Sequence, residues 1–249
     1  MDTNFRFSNL QREYYHRQAK DYDGRRFWKL YCRQNRNHIK KIEKVLEIVK
    51  KEHPKSILEV GTGTGIHAEW FLRNYENNKF NFTGVDLSPD MLSVAKKRLQ
   101  YFIDKGKAKL KVANALSLPF KNEAFDFVFC VATIHHLEYP ETGIREMVRV
   151  LKSGHKLVVV EPNRLFPINL YAGLTNPIER NVLKLSKNNL YLWGKKYLDK
   201  VKVENLLYTP PYPAAFKGVF DRLDLLFSKV PLLNNFSIML FMSGEKTSR

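Results

Sequence analysis

The feature that most constrains this chain is a run of three glycines directly after a short apolar segment. Residues 56–60 read Ser-Ile-Leu-Glu-Val, which is typical of a buried strand, and Gly61, Gly63 and Gly65 follow at alternate positions. Glycines there let the backbone turn tightly and approach a ligand closely. The helix that follows offers unpaired N–H groups to polar or anionic atoms. The segment therefore predicts a strand, a turn and a helix, and the turn either binds a ligand or is only a tight turn.

Strands and helices alternate after this turn. We predict strands at 56–60, 80–86, 110–113, 125–130 and 156–161, with helices at 66–75, 89–99 and 142–151. Because parallel strands need a crossover segment between them, this order predicts a doubly wound α/β fold with helices on both faces of a mostly parallel sheet. Residues 163–198 read as a mostly helical insertion and 214–229 as an amphipathic helix. Strands at 200–208 and 235–242 would add an antiparallel edge and complete seven strands.

Polar side chains stand at the ends of two predicted strands. Asp86 ends the second strand, where a carboxylate can accept hydrogen bonds from both hydroxyls of a ribose. The alternative is that it caps the helix that follows. Asn114 follows the third strand and could bind an adenine edge through its amide, or it could merely turn the chain.

Two neighbouring histidines, His135 and His136, follow the fourth predicted strand. Adjacent histidines do not share the helical i, i+4 face that zinc motifs use, so we expect no metal. A histidine with a pKa near neutrality could take a proton from an acceptor hydroxyl or nitrogen, which makes both residues catalytic candidates. A structural role is the alternative.

Four segments, in this order, resemble the class I S-adenosylmethionine-dependent methyltransferases. Residues 57–65 resemble the family's motif I, and 84–88 resemble the acidic loop that holds the ribose of the cofactor. Residues 114–126 resemble the adenine-side motif, and 145–152 the helix before strand five. The resemblance implies a Rossmann-like core that binds S-adenosylmethionine. The chain departs from the family at 152–155, Lys-Ser-Gly-His, where the family usually has Pro-Gly-Gly in a turn.

The resemblance also implies which residues contact the cofactor. Residues 14–23 are similar to an N-terminal lid in which a tyrosine closes over the methionine end, although an amphipathic helix with aromatic anchors would look the same. The cofactor-binding residues expected on this basis are Tyr15, Tyr22, Glu59, Gly61, Thr62, Gly63, Gly65, Asp86, Leu87, Asn114, Ala115 and Val131.

The same resemblance divides the chain into four parts of one domain. Residues 1–55 would form the helical lid, 56–162 the cofactor-binding core, 163–213 a substrate-side insertion, and 214–249 a C-terminal helix and strand completing the sheet. An insertion after strand five roofs a small-molecule pocket in similar methyltransferases. We therefore expect a small, hydrophobic or lipid-like methyl acceptor. Its expected walls are Phe166, Tyr171, Tyr191, Trp193 and Phe216.

The charge of the chain leaves two alternatives open. Lys and Arg number 42 against 25 Asp and Glu, for a formal net charge of +17, which could attract RNA or an anionic membrane or serve only solubility. The basic residues that could line one face of the N-terminal helices are Arg25, Lys29, Arg33, Arg36 and Lys40. An RNA (tRNA) methyltransferase is therefore an alternative, and a non-catalytic methyltransferase-like scaffold is another.

The remaining signals concern location and redox state. The N-terminus lacks a secretory signal and no segment approaches the ~20 apolar residues of a membrane span, so we expect a cytoplasmic protein. Two cysteines provide no disulfide framework. Cys130 ends an apolar run and is expected to be a buried thiol.

Overall fold

The computed structural model describes residues 13–19, 22, 36–209 and 217–247. Residues 13–18 are helical. The strands are β1 (Ser56–Val60), β2 (Asn81–Asp86), β3 (Ala108–Val112), β4 (Phe125–Val131), β5 (Leu151–Pro162), β6 (Leu198–Leu206) and β7 (Met239–Lys246). The α-helices are α1 (Arg36–Glu52), α2 (Ile66–Tyr75), α3 (Pro89–Asp104), α4 (Pro140–Val150), α5 (Pro167–Thr175), α6 (Lys187–Lys195), α7 (Lys217–Lys229) and α8 (Pro231–Asn234). Two 3-10 segments span Ile134–His136 and Pro177–Lys184.

The strands form one seven-stranded sheet in the order β3-β2-β1-β4-β5-β7-β6. The first five strands pair in parallel, and β7 lies antiparallel to both β5 and β6. The doubly wound α/β fold and its antiparallel edge are thus confirmed. The strand order reverses between β1 and β4, so a ligand crevice is expected outside the carboxyl ends of these two strands.

Two apolar cores cover the faces of the sheet. Strand β4 is buried along its whole length, as a continuous apolar run in the middle of a parallel sheet should be. One core packs α1 and α2 against the sheet, and the other packs α4 and α6 against the opposite face. Cys130 is fully buried in the second core, as expected, and burial raises the pKa of its thiol.

The beginning of β5 differs from the prediction. Residues 152–155 were expected to form a turn, but they lie within β5, which begins at Leu151 immediately after α4. Gly154 has a φ of 75°, and the pairing of β4 with β5 shifts register between Phe125 and Phe127. Gly154 therefore lies in an irregular first part of β5 and not in a turn, because a glycine with positive φ is also typical of a β-bulge.

The basic residues expected to face a polyanion are only partly described. Lys40 donates hydrogen bonds to Asp221 and Asp224 of α7, both at 2.9 Å, so its charge is compensated within the protein. Arg25, Lys29 and Arg33 lie outside the described residues, as does the side chain of Arg36. Over the described parts of the chain, no helix combines the length and the apolar character that crossing a membrane requires.

Candidate functional site

A cavity of about 580 Å³ opens at the carboxyl ends of the parallel strands, where the sheet topology places a ligand crevice. Most of the residues predicted to contact a cofactor or to catalyse line this cavity. They are Tyr15, Tyr22, Gly61, Thr62, Gly63, Asp86, Leu87, Asn114, Ala115, Val131, His135 and His136. Glu59 and Gly65 do not line it, although both were predicted to contact the cofactor.

The glycine loop fits tightly against the end of β4. Gly61 has a φ of 77°, and a Cβ placed on it would lie 2.2 Å from the Thr133 side-chain oxygen. Gly63 also has a positive φ, 55°, but a Cβ there would meet nothing within 4 Å. Since Gly63 lines the cavity, the space beside it is available to a ligand. The loop thus needs glycine for packing at one position and leaves room for a bound group at the other.

Asp86 joins the loop to the end of β2. Its two carboxylate oxygens accept hydrogen bonds from the backbone N–H of Gly63 at 2.8 Å and of Ser88 at 2.9 Å. Burial raises the pKa of Asp86, and these N–H groups oppose that shift. The residue that caps α3 is Ser88 and not Asp86, because the Ser88 side chain accepts a hydrogen bond from the Met91 N–H. Each Asp86 oxygen keeps a further lone pair, which suits it to ribose hydroxyls.

Glu59 lies beneath the glycine loop rather than at its surface. It is 1% exposed, and burial raises the pKa of its carboxyl group to about 8. Its Oε2 makes no hydrogen bond to the described part of the chain. Gly65 is likewise internal, because a Cβ there would lie 3.1 Å from that of Ala95 on α3. A buried carboxyl group short of one partner fits a cofactor that carries an ammonium group nearby.

Asn114 and Ala115 form part of the cavity wall after β3. The Asn114 side-chain oxygen accepts a hydrogen bond from the Leu116 N–H at 2.9 Å. This bond stabilises a turn of the chain, which was the alternative to adenine binding. The residue lines the cavity as well. Together with Asp86 and Gly63, this wall fits a nucleoside, and the residues present are compatible with S-adenosylmethionine.

His135 is held between two carboxylates. Its Nδ1 lies 2.7 Å from Glu161, and its Nε2 lies 3.3 Å from Glu179 of the insertion. Burial lowers the pKa of His135, but the two carboxylates outweigh burial and raise it to about 9. The imidazole is therefore protonated at neutral pH, and in that form it cannot accept a proton. The Glu161 carboxylate is saturated, because it also accepts the N–H groups of Thr133 and Ile134.

His136 faces the N-terminal segment. Its Nε2 lies 2.7 Å from the Tyr15 hydroxyl, and the two rings meet edge to face. Tyr15 in turn contacts Tyr22, with ring centroids 5.9 Å apart. The two tyrosines predicted to belong to a lid therefore lie over the cavity and reach the end of β4.

His135, His136 and Glu179 also bring one ligand atom each within 4.8 Å of one another. Two adjacent histidines do not form a helical zinc motif by themselves, but the fold adds Glu179 from a distant part of the chain. The expectation that the protein holds no metal stays a prediction.

Three ionisable residues that line the cavity were not predicted from the sequence: Lys41, His67 and Glu179. Burial lowers the pKa of Lys41 to about 8, against the opposing influence of Glu161. Burial, followed by the charges of Lys41 and Arg98, lowers the pKa of His67 to about 3. Lys41 had a signal in the sequence, because it stands four and eight residues before Val45 and Val49 and so shares the apolar side of α1.

The predicted aromatic walls are wrong for the described residues. Phe166, Tyr171, Tyr191 and Trp193 do not line the cavity, and Tyr171 is 69% exposed. Helix α5 instead turns Ile168 and Ala172, one helical turn apart, toward the cavity, so that Tyr171 faces outward. Phe216 lies outside the described residues. The apolar lining at this end comes from Leu137, Ile168, Ala172, Leu207, Ile238 and Met239.

Comparison with known proteins places this geometry in context. The family described as "Methyltransferase domain" matches residues 58–159. An uncharacterized protein of Methanocaldococcus jannaschii is 31% identical over 180 residues, which cover 72% of this chain and 78% of that protein. The demethylmenaquinone methyltransferase of Porphyromonas gingivalis is 29% identical over 55% of this chain and 58% of its own length. An O-methyltransferase of Pyrenophora dematioidea is 28% identical over 47% of this chain, and only 43% of its length is spanned.

Solved structures share the fold. A SAM-dependent methyltransferase of Thermotoga maritima superposes with a TM-score of 0.62 at 21% identity, covering 95% of this chain and 99% of that one. A phosphoethanolamine N-methyltransferase of Haemonchus contortus, in complex with S-adenosyl-L-methionine, gives a TM-score of 0.59 at 19% identity. It covers 83% of this chain and 53% of that one.

Proposed function

Because the chain belongs to the class I S-adenosylmethionine-dependent methyltransferases, we propose that its acceptor is a small, hydrophobic or lipid-like molecule that enters the cavity beside the cofactor. The observation that carries this proposal is the apolar end of the cavity. Side chains of α5, β7 and the segments that flank them line it, next to the histidines that follow β4. Apolar walls with a few polar groups are typical of small-molecule sites.

The residues of this chain can position both reactants. S-adenosylmethionine supplies a methyl group already activated by its sulfonium, so the protein mainly aligns the acceptor and excludes water. We infer that Asp86 binds the ribose hydroxyls and that Asn114 and Ala115 contact the adenine. Part of the cofactor would occupy the open space beside Gly63. The Glu59 carboxyl group lies beneath the glycine loop with a pKa raised to about 8, and an ammonium group of the methionine portion bound nearby would favour its ionised form.

Proton transfer falls to His136 rather than His135. His135 carries a proton and is engaged by Glu161 and Glu179, so it holds the insertion against β5. His136 lines the cavity and shares a hydrogen bond with the Tyr15 hydroxyl. An acceptor hydroxyl or ammonium that must lose a proton would give it to His136, and Tyr15 would orient that imidazole.

Filling the apolar end tests the proposal. Ala172→Phe should abolish or reduce at least tenfold the turnover of an apolar phenol, quinol or amine, measured as S-adenosylhomocysteine released. Binding of S-adenosylhomocysteine should change less than twofold, because Ala172 lies at the apolar end. The matched control is Leu174→Phe, since Leu174 is on the same helix but is exposed and does not line the cavity. Full activity of Ala172→Phe would contradict an acceptor at this end.

The same assay separates the alternatives. Methyl transfer to tRNA, with no turnover of any apolar acceptor, would favour the RNA methyltransferase. The net charge of +17 would then attract the RNA. Binding of the cofactor without transfer to any acceptor would favour the scaffold.

A further inference from the structure

Lys41 places a cation in the wall of the cavity. Helix α1 packs on the sheet through Ile42, Val45 and Val49, and Lys41 occupies the same side of that helix. It is the only lysine or arginine among the described residues that line the cavity. Within the described ranges, no carboxylate forms an ion pair with it and no acceptor takes a hydrogen bond from it.

The groups around Lys41 do not supply its counterion. Glu161 exerts a favourable electrostatic influence, but its oxygens are occupied by the His135 ring and by backbone N–H groups. His67, in the first turn of α2, has its pKa lowered to about 3 by burial and then by the charges of Lys41 and Arg98, so its neutral imidazole provides no negative charge. Burial lowers the pKa of Lys41 to about 8. A partly buried ammonium without a direct partner is unfavourable by itself and favours binding of an anion.

Backbone groups next to Lys41 favour an anion too. The glycine loop and the first turn of α2 border the same space, and a helix N-terminus carries unpaired N–H groups and partial positive charge. Asp86 and Asn114 mark a different part of the wall, where the ribose and adenine are assigned. The remaining charged part of S-adenosylmethionine that needs a cation is the carboxylate of its methionine portion.

We propose that Lys41 is the carboxylate-binding residue of the cavity and pairs its ammonium with the methionine carboxylate of the cofactor. This inference rests on the cofactor assignment and is independent of the acceptor. Charged hydrogen bonds are stronger than neutral ones, and the loss of one should weaken binding about tenfold to a hundredfold.

Two ligands that differ in the carboxylate test the pairing by isothermal titration calorimetry. S-adenosylhomocysteine carries the amino-acid portion, whereas 5′-methylthioadenosine retains the adenosine and thioether but lacks it. Lys41→Met keeps most of the side-chain length and removes the charge. We expect it to weaken S-adenosylhomocysteine at least tenfold and to leave 5′-methylthioadenosine within twofold. Lys41→Arg should recover part of the affinity.

Lys44→Met is the matched control, because Lys44 lies on the same helix, pairs with Glu204 and does not line the cavity. It should bind both ligands as the wild type does. Equal loss of both ligands in Lys41→Met, or loss of neither, would overturn the pairing. Failure of the wild type to bind either ligand would overturn the cofactor assignment, and the role of Lys41 with it.

The pH dependence supplies a second readout. The pKa of Lys41 is about 8 in the free protein, so its charge is present at pH 7 and mostly lost at pH 9. Wild-type affinity for S-adenosylhomocysteine should therefore fall over this range relative to that of Lys41→Met. Other titratable groups of the site, His67, Asp86, Glu161 and the buried Glu59 with its pKa of about 8, are common to both proteins. Parallel pH profiles would overturn the pairing.

Discussion

Replacing Gly61 with alanine should destabilise the protein by about 2–5 kcal/mol. A left-handed backbone such as its φ of 77° costs a residue with a Cβ about 1–2 kcal/mol. The new Cβ would also lie 2.2 Å from the Thr133 oxygen and 2.4 Å from its methyl carbon, which forces a shift of packed groups. Overpacking of this kind costs about 1–3 kcal/mol. The two contributions together produce the expected range.

Gly63→Ala is the matched comparison within the same loop. Its φ of 55° carries a similar backbone cost, but its Cβ would meet nothing within 4 Å. We therefore expect a loss of only about 1–2 kcal/mol in stability. Because that Cβ projects into space assigned to the cofactor, Gly63→Ala should instead weaken S-adenosylhomocysteine binding.

Urea unfolding of both variants and calorimetry of their ligand binding provide the measurements. A double-mutant cycle with Thr133→Ala isolates the steric contribution. Thr133→Ala alone should be mildly destabilising, since the hydroxyl donates to the Val60 carbonyl at 3.1 Å. In the Gly61→Ala background it should restore at least about 1 kcal/mol, because the overlapping oxygen and methyl are gone. Equal stability of Gly61→Ala and Gly63→Ala, with additive effects in the cycle, would refute the reasoning.

Two further predictions concern the charged groups of the site. His135→Gln should lower the free energy of unfolding by about 3–5 kcal/mol at pH 6, because two buried carboxylates lose their cation. The pKa of His135 is raised from 6.5 to about 9, so the contribution is complete below pH 6.5 and is lost as the pH rises through 9. Urea titrations at pH 6 and 9.5 should show the gap between wild type and variant narrowing, and a constant gap would argue against a protonated His135. Asp86→Asn should weaken S-adenosylhomocysteine about tenfold to a hundredfold by calorimetry, since a charged acceptor becomes neutral. An unchanged affinity would remove Asp86 from the ribose site.

The sequence predicted the fold and much of the candidate cofactor site because these depend on local pattern. Each parallel strand is a short apolar run, and the residues of the glycine loop and Asp86 directly follow such runs. In a parallel sheet, residues that follow the strands meet at one edge whatever the intervening helices contain. The sequence positions of Asp86 and Gly63 therefore predict that they lie close together. In the structure the Gly63 N–H donates a hydrogen bond to the Asp86 carboxylate at 2.8 Å.

The apolar end of the cavity and its histidines depend on contacts between distant segments, which the sequence did not determine. The Tyr15 hydroxyl reaches His136 across 121 residues, and Glu161 and then Glu179 of the insertion keep His135 protonated. The predicted aromatic walls failed because the rotation of α5 about its axis is decided by packing against its neighbours, which turns Ala172 inward and Tyr171 outward.

The sequence by itself therefore determined the sheet and the glycine loop, since strand periodicity and the glycine spacing act over a few residues. Its resemblance to the class I methyltransferases implied the cofactor. Only the tertiary structure decided which charges meet. Burial lowers the pKa of Lys41, whereas Glu161 and Glu179 raise the pKa of His135 against the effect of burial. Electrostatic energy depends on distance through space and not on separation along the chain.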